Sequence, residues 1–222
     1  MESHVVKILS IHQVTHDVKS FRIEKPAGYQ FIPGQATEVS INKPEWQEER
    51  RPFTFTSLND EPTLEFTIKR YADHKGVTNE LHQLTEGDEL IIRDVWGAIE
   101  YKGPGYFIAG GAGITPFMAI LRQLHRDNQI ANNILFFSNK TAADIIYEQE
   151  LTSILGKNAR YLLTREKKTG YDNMFINIDF LRSQITDFSR HFYVCGPDEF
   201  TQLILDDLKS LGVNANALIF EK

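Results

Sequence analysis

The sequence predicts two domains, an antiparallel six-stranded β-barrel over residues 1–102 and an α/β domain with a parallel five-stranded sheet over residues 103–222. Three observations carry this reading. Up to about Val95 the apolar residues recur with period two in short runs bounded by turn residues. After Lys102-Gly-Pro-Gly105 the texture changes, and apolar strands alternate with amphipathic segments. Between the two textures stands Tyr106-Phe-Ile-Ala-Gly110-Gly-Ala-Gly-Ile-Thr115-Pro116, an apolar run that breaks into glycines and starts a helix.

In the first part the strand candidates are Val5 to Ile11, Val18 to Ile23, Ala36 to Ile41, Phe53 to Thr56, Leu64 to Ile68 and Glu89 to Ile92. Phe31-Ile-Pro-Gly34-Gln35 reads first as a turn feeding a strand, and second as a wall of a cofactor site. A short helix is expected from Val77-Thr-Asn-Glu80, carrying Leu81 and Leu84, with Gly76 before it. In the second part Phe117, Ile120, Leu121 and Leu124 mark one helical face. Asn133 to Ser138, Ala159 to Thr164, His191 to Cys195 and Asn216 to Phe220 are later strands, with helices at Ile145 to Leu155 and Glu199 to Leu211. Such alternation implies a parallel sheet covered on both faces.

Composition narrows the class. With 41% hydrophobic and 24% charged residues, the chain is that of a soluble globular protein. The balance of 24 basic against 30 acidic side chains, net −6, argues against nucleic-acid binding by phosphate neutralisation. No apolar run is long enough to span a bilayer, and Met1-Glu2-Ser3-His4 does not open a signal sequence, so a cytoplasmic protein is expected. Cys195 is the single cysteine, which excludes an internal disulfide and a cysteine-held cluster. Seven histidines form no ligand set, and His12 and His16 are expected at the surface, so no metal is expected. Redox chemistry would have to come from a bound organic cofactor.

The glycine turn offers free N–H groups and a positive helix end to an anion, most naturally a diphosphate; the plain alternative is a tight strand-to-helix turn. Its spacing is not G-x-G-x-x-G, and no acidic residue ends the next strand, Leu135 to Lys140, to take a ribose hydroxyl. Arg51-Pro-Phe-Thr54-Phe-Thr56-Ser57 alternates a cation, a flat ring and a hydroxyl, the set an isoalloxazine with its diphosphate requires. On periodicity alone, an ordinary strand is the favoured reading of it. Ala72 to Thr78, with Lys75 and Gly76, makes a second anion seat or a simply capped helix. Cys195-Gly-Pro-Asp198 repeats the strand, glycine, helix order and should face the same crevice; a small thiol ending a strand fits it as well.

In that order and at those separations, Arg51-Pro-Phe-Thr54, Gly76-Val-Thr78, Gly110 to Pro116 and Cys195-Gly-Pro197 resemble the ferredoxin–NADP reductase family over nearly the whole chain. The resemblance implies a flavin-binding barrel, a nicotinamide-nucleotide domain and a reaction centre in the cleft between them. It implies that Arg51 meets the flavin diphosphate, Phe53 packs on the isoalloxazine and Thr54 bonds near N5, with Pro52, Ile68 and Lys69 also cofactor-binding. Gly76, Val77 and Thr78 would hold the FAD diphosphate, and Gly111, Gly113, Thr115, Cys195 and Gly196 would meet NADPH or NADH. Thr54, Cys195 and Glu221 are the expected catalytic residues, Glu221 resembling the family's carboxylate near flavin and nicotinamide.

Thr164 and Arg165 resemble the pair that meets a 2′-phosphate, with Lys167 or Lys168 assisting, although a similar arginine also occurs in relatives that use NADH. The sequence departs from the family at Asp94-Val-Trp96-Gly97, in the longer loop Asn42 to Arg50, and in stopping at Lys222, where many members add a flavin-covering aromatic; unless Phe220 turns inward, a more open flavin face is expected. No cysteine-rich module accompanies the two domains, which disfavours the multidomain oxygenase reductases. The implied activity is an FAD-dependent NAD(P)H oxidoreductase that passes electrons to ferredoxin or flavodoxin. A flavin or ferric reductase acting on a small diffusible acceptor, and a non-catalytic nucleotide-binding module, are the alternatives. An acidic carrier would need a basic face, for which Arg22, Lys25, Lys43, Arg50 and Lys69 are available.

Overall fold

A computed structural model describes residues 2–71, 76–97 and 99–220. The first half holds β1 (Ser3–Thr15), β2 (Val18–Glu24), β3 (Ala36–Ile41), β4 (Arg51–Thr54), β5 (Thr63–Lys69), the one-turn helix α1 (Val77–Leu81) and β6 (Glu89–Trp96). The six strands form one antiparallel sheet in the order β4-β3-β6-β1-β2-β5. Alternation decides which side chains turn inward: Leu64, Phe66 and Ile68 of β5 are buried with Phe21 and Ile23 of β2.

The strand expected at Phe53 to Thr56 instead runs from Arg51 to Thr54, because Phe55 changes partners. Its N–H donates to the Gln35 carbonyl at 3.1 Å, the next N–H, of Thr56, donates to Glu65 at 2.8 Å, and Phe55 bridges Phe66. That crossing joins the β4 edge to the β5 edge, which is how a twisted six-stranded sheet removes its open edges.

The second half alternates β7 (Gly105–Gly110), α2 (Thr115–Arg126), β8 (Ile134–Asn139), α3 (Glu148–Leu155), β9 (Ala159–Leu163), α4 (Ile178–Gln184), β10 (His191–Cys195), α5 (Asp198–Ser210) and β11 (Leu218–Phe220). All five strands are parallel, in the order β11-β10-β7-β8-β9. Every residue of β7 is buried, and its side chains divide between two cores. Phe107 and Ala109 meet Phe117, Leu121 and Leu151 from α2 and α3, while Tyr106 and Ile108 meet Phe180, Ile204 and Leu208 from α4 and α5. Burying a Phe or Leu on such a face contributes about 1.5–3 kcal/mol.

Helix α4 is absent from the sequence expectations; Asn177 caps it by accepting the Phe180 N–H at 2.9 Å. Helix α3 begins at Glu148 rather than Ile145, because Tyr147 sits in the left-handed region at φ 54° and breaks the ladder before it. The loop from Asn42 to Arg50 folds as successive turns, with Trp46 half-buried against the barrel core and Arg93 donating to the Gln47 carbonyl at 3.2 Å.

The connection between the halves is anchored on the second. The Tyr193 hydroxyl accepts from the N–H groups of Lys102 (2.8 Å) and Gly103 (3.1 Å) and donates to the Gly103 carbonyl (2.8 Å). Tyr101 stacks on Tyr193, and Ile99 lies in the core formed by α2 and α3, as does Val18 from the barrel.

Helix α1 is tied to β5 by His82, whose Nε2 donates to the Ile68 carbonyl at 2.9 Å while the residue is only 7% exposed. Burial holds the imidazole below its ordinary value of 6.5; the carbonyl bond opposes this, and Lys19 and Arg70 add to it. The unfolded chain therefore takes up this proton more readily than the folded one. The stability contributed by neutral His82 is complete above about pH 6.5 and is lost as pH falls through the lower folded value. Melting temperature should decline below that pH, and His82→Gln should flatten the decline; equal slopes in parent and variant would exclude His82 as its source.

Candidate cofactor cleft

The strand order reverses at β7, with β8 and β9 added on one side and β10 and β11 on the other, so the carboxyl ends of β7 and β10 open a crevice, the place where parallel α/β sheets bind ligands. The barrel closes the other side of it. The result is a cleft of about 610 Å³ walled by both halves.

From the barrel come Pro52, Phe53 and Thr54 on β4, Ile68 and Lys69 on β5, and Thr78 on α1. From the second half come Gly111, Gly113, Thr115, Thr164, Cys195 and Gly196. The structure thus gathers twelve of the residues expected from the sequence onto one cavity. Arg51, Gly76, Val77 and Arg165 are not among its lining residues. Arg51 is exposed, with Nη1 on the Arg50 carbonyl at 2.6 Å and Nη2 3.5 Å from Glu49. Val77 is 1% exposed in the barrel core, because the single turn of α1 must bury an apolar residue to stay attached. Gly76 caps that helix in extended backbone, and the Arg165 N–H donates to the Lys140 carbonyl at 2.9 Å. Lys75 and Glu221 lie outside the described residues.

The glycine turn is shaped by close backbone approach. Residues 111–114 form a tight 3-10 turn, and a β-carbon at Gly113 would lie 2.2 Å from the Cys195 carbonyl oxygen. Only hydrogen fits between these strand ends. Helix α2 then starts with Thr115 and Pro116 and carries no acidic side chain in its first turn, which leaves the positive end of its dipole uncompensated at the cleft. The Thr115 hydroxyl donates to the Ala112 carbonyl at 3.0 Å and keeps its acceptor capacity.

On the opposing wall Thr54 is 8% exposed and Phe53 is half-buried, its ring 6.4 Å from Phe66. Thr67 is engaged by Thr56 (3.1 Å) and by the Tyr147 hydroxyl (2.9 Å). Burial, with the charge of Glu65, raises the Tyr147 phenol above its usual range, so the hydroxyl stays protonated.

Sequence reasoning overlooked Asn139. It ends β8 in the wall of the cleft, is 5% exposed, and neither polar atom of its side chain has a hydrogen-bond partner among the described residues. A strand end searched only for a carboxylate passes over an amide that offers both donor and acceptor. Tyr71, Phe175 and Phe200 also line the cavity. The ring of Phe200 fills the space a β-carbon on Gly196 would need, at 2.5 Å.

Outside the wall of glycines, His16, Asp17 and Asp144 bring ligand atoms within 4.8 Å of one another. Asp17 already pairs with Lys69 at 3.1 Å, and Asp144 accepts the Thr141 N–H and hydroxyl, so the group reads as a contact between the halves.

The residues present fit a flavin and a nicotinamide nucleotide: a glycine cradle, an uncompensated helix end, a flat ring beside a hydroxyl, and an unsatisfied buried amide in one cavity. Comparison agrees. Residues 5–101 match the oxidoreductase FAD-binding domain and residues 107–206 the oxidoreductase NAD-binding domain. The fold and site define a two-domain oxidoreductase that binds FAD and a nicotinamide nucleotide. The chain belongs to the ferredoxin–NADP reductase-like flavoprotein family.

Its relatives include the reductase component of propane 2-monooxygenase from Rhodococcus jostii (strain RHA1), 24% identical over 97% of this chain and 62% of that one. NADH-cytochrome b5 reductase 2-A of Vanderwaltozyma polyspora is 28% identical over 91% of this chain and 74% of its own. A ferredoxin NADP+ reductase from Neisseria gonorrhoeae, solved with FAD and NADP bound, superimposes with a TM-score of 0.84 at 20% identity, covering 100% of this chain and 98% of that one. The chain therefore spans less than two thirds of the monooxygenase reductase, a group that the sequence reading disfavours and that the comparison nonetheless includes. Among the described residues no helix is long and apolar enough to cross a membrane.

Proposed function

We propose that this protein draws electrons from NADPH or NADH through FAD and delivers them to a one-electron carrier, ferredoxin or flavodoxin, with residues 1–102 serving the flavin and 103–222 the nicotinamide. The observation that carries this is the single cleft in which Phe53 and Thr54 share walls with Gly111, Gly113, Thr115 and Cys195. Bound in this cleft, FAD would supply the exchange between two-electron chemistry with a nicotinamide and one-electron chemistry with a carrier. The chain contributes position and electrostatics.

Thr54, nearly buried in the cleft wall, would offer its hydroxyl to the flavin nitrogen, and Phe53 beside it would pack on the ring system. Arg51 supplies charge to the diphosphate; its exposed pairing with Glu49 is worth at most about 1 kcal/mol and is readily given up. Pro52, Ile68, Lys69 and Thr78 complete the flavin wall, with Gly76 and Val77 setting the start of α1. Gly111, Gly113, Thr115, Asn139 and Gly196 seat the nicotinamide nucleotide, and Cys195, with Glu221 beyond the described residues, holds its reacting ring.

NADPH is favoured over NADH because Thr164 and exposed Lys140 line the cleft, and Arg165 is tied by its N–H to Lys140. A single cysteine suits a reducing compartment such as the cytoplasm. Of the cations available for docking, Arg50 is paired with Glu38 and Glu48, and Lys69 with Asp17.

The purified protein should be yellow, and anaerobic NADPH should bleach it faster than NADH. Thr54→Val keeps the shape and removes the hydroxyl; it should retain FAD while slowing bleaching about tenfold or more. A colourless protein that fails to take up FAD would sink the reading. Turnover with ferredoxin and flavodoxin, set against free flavins and ferric chelates, separates a protein acceptor from a small one.

A further inference from the structure

A partly buried ionic group outside the cofactor walls joins the two halves, and its centre is Arg122 on α2. The guanidinium is 19% exposed and is used on every side. Its Nε and Nη2 bind Glu150 of α3 in a bidentate pair at 2.6 and 2.9 Å. Across the seam, Nη1 donates to Glu65 of β5 at 2.9 Å and to the backbone carbonyl of Thr56 at 2.5 Å. Its face lies 5.1 Å from the Tyr147 ring. Burial opposes its charge, but the bonds and charges of Glu150 and Glu65 outweigh burial and hold the group firmly protonated.

A second strut runs beside the first. The Tyr147 hydroxyl meets Thr67 at 2.9 Å, Thr67 meets Thr56 at 3.1 Å, and the Thr56 hydroxyl donates back to Glu65 at 2.8 Å. Tyr147 reaches this place through its left-handed backbone, a conformation a bulky residue adopts only where its surroundings impose it.

The positions of the two ends matter. Arg122 lies seven residues after Thr115, on the helix that springs from the glycine turn. Its acceptor, the Thr56 carbonyl, lies two residues beyond Thr54 on the segment that closes the barrel. One planar five-donor group thus ties α2 and α3 to β5 and the barrel-closing segment through more bonds than a lysine could make at once.

We propose that Arg122 is the positioning residue that sets the gap between the two reacting rings, with Tyr147 as its accessory strut. This rests on the function proposed above. A displacement of about 1 Å at a reaction centre can cost about 100-fold in rate, so loosening the clamp should act on the chemical step before it acts on binding.

The test uses the full FAD-loaded protein carrying Arg122→Met, Arg122→Lys or Tyr147→Phe. Arg122→Met should keep its FAD and bind NADPH within about threefold of the parent, yet be reduced at saturating NADPH about tenfold to 100-fold more slowly. The long-wavelength charge-transfer absorbance that reports ring stacking should weaken. Arg122→Lys should recover part of the loss, and Tyr147→Phe should show a smaller one. In the cofactor-free protein, amide exchange at Phe55 and Thr56 should quicken in the same order.

Reduction within twofold of the parent, with unchanged exchange at Thr56, overturns the proposal even if melting temperature falls. Should Arg122→Met not fold, Arg122→Lys and Tyr147→Phe decide by the same criterion. A parent that binds FAD but is never reduced by NADPH or NADH overturns the function; a normal parent with unaffected variants overturns the clamp alone.

Discussion

Gly113→Ala should all but abolish reduction by NADPH while leaving FAD uptake intact. The added carbon would stand 2.2 Å from the Cys195 carbonyl oxygen, 2.4 Å from its carbon and 2.6 Å from the Gly196 nitrogen. All three are backbone atoms, with no side chain to swing aside. Either the end of β10 or the glycine turn before α2 must retreat, and both line the cleft. Overpacking of this kind costs about 1–3 kcal/mol of stability. A retreat of about 1 Å costs about 100-fold in rate. Anaerobic stopped-flow reduction, beside an FAD titration, reads the two separately; a variant reduced as fast as the parent would show that this turn does not seat the nicotinamide.

Phe55→Ala carries the largest expected loss of stability, about 3–5 kcal/mol. Its ring is fully buried, stacked on Phe31 at 4.3 Å and tilted against Phe66 at 5.1 Å, with Tyr29 edge-on at 6.0 Å. The same residue makes the bridge that joins the two edges of the barrel sheet. Because Thr54 precedes it and Thr56 follows it, a cavity there should loosen the flavin wall and the seam at once. Urea unfolding followed by circular dichroism, with FAD retention measured beside it, should register both losses. A shift under about 1 kcal/mol would show that the ring does not hold the closure.

Much of this architecture is legible in the sequence because the relevant signals are local. Period-two runs such as Leu64 to Ile68 and the wholly apolar Tyr106 to Ala109 state their own burial, and five of the six expected barrel runs lie inside observed strands, although β1 and β6 extend well beyond them. Where the outcome depends on distant partners, it is not legible. Phe55 alternates like its neighbours in sequence, and only the meeting of Gln35 with Glu65 in space shows that the strand ends at Thr54. Tyr147 looks like a helix residue, yet its hydroxyl is drawn to Thr67 across the seam and its backbone leaves the helix.

The site follows the same division. Glycines and strand-end residues reached the cleft because close approach and a helix start are written in short motifs. Arg51 and Val77 matched a motif too, yet neither lines the cavity: Arg51 is exposed beside Glu49, and Val77 is buried in the barrel core. Asn139 and Arg122 carry no motif at all. Their importance comes from what surrounds them.

The linker anchored by Tyr193 bears on how such a chain can be recombined. The glycine-proline break before β7 resembles a joint, yet Ile99 and Tyr101, on its upstream side, rest in the downstream core, and Val18 reaches it from a hairpin far earlier in the chain. A graft cut at the glycines would leave the incoming half without its footing and the outgoing half with an oily stub. Chimeras of this protein need their junction ahead of Ile99 and a matched residue at position 18, so the unit that can be exchanged is wider than its change of texture suggests.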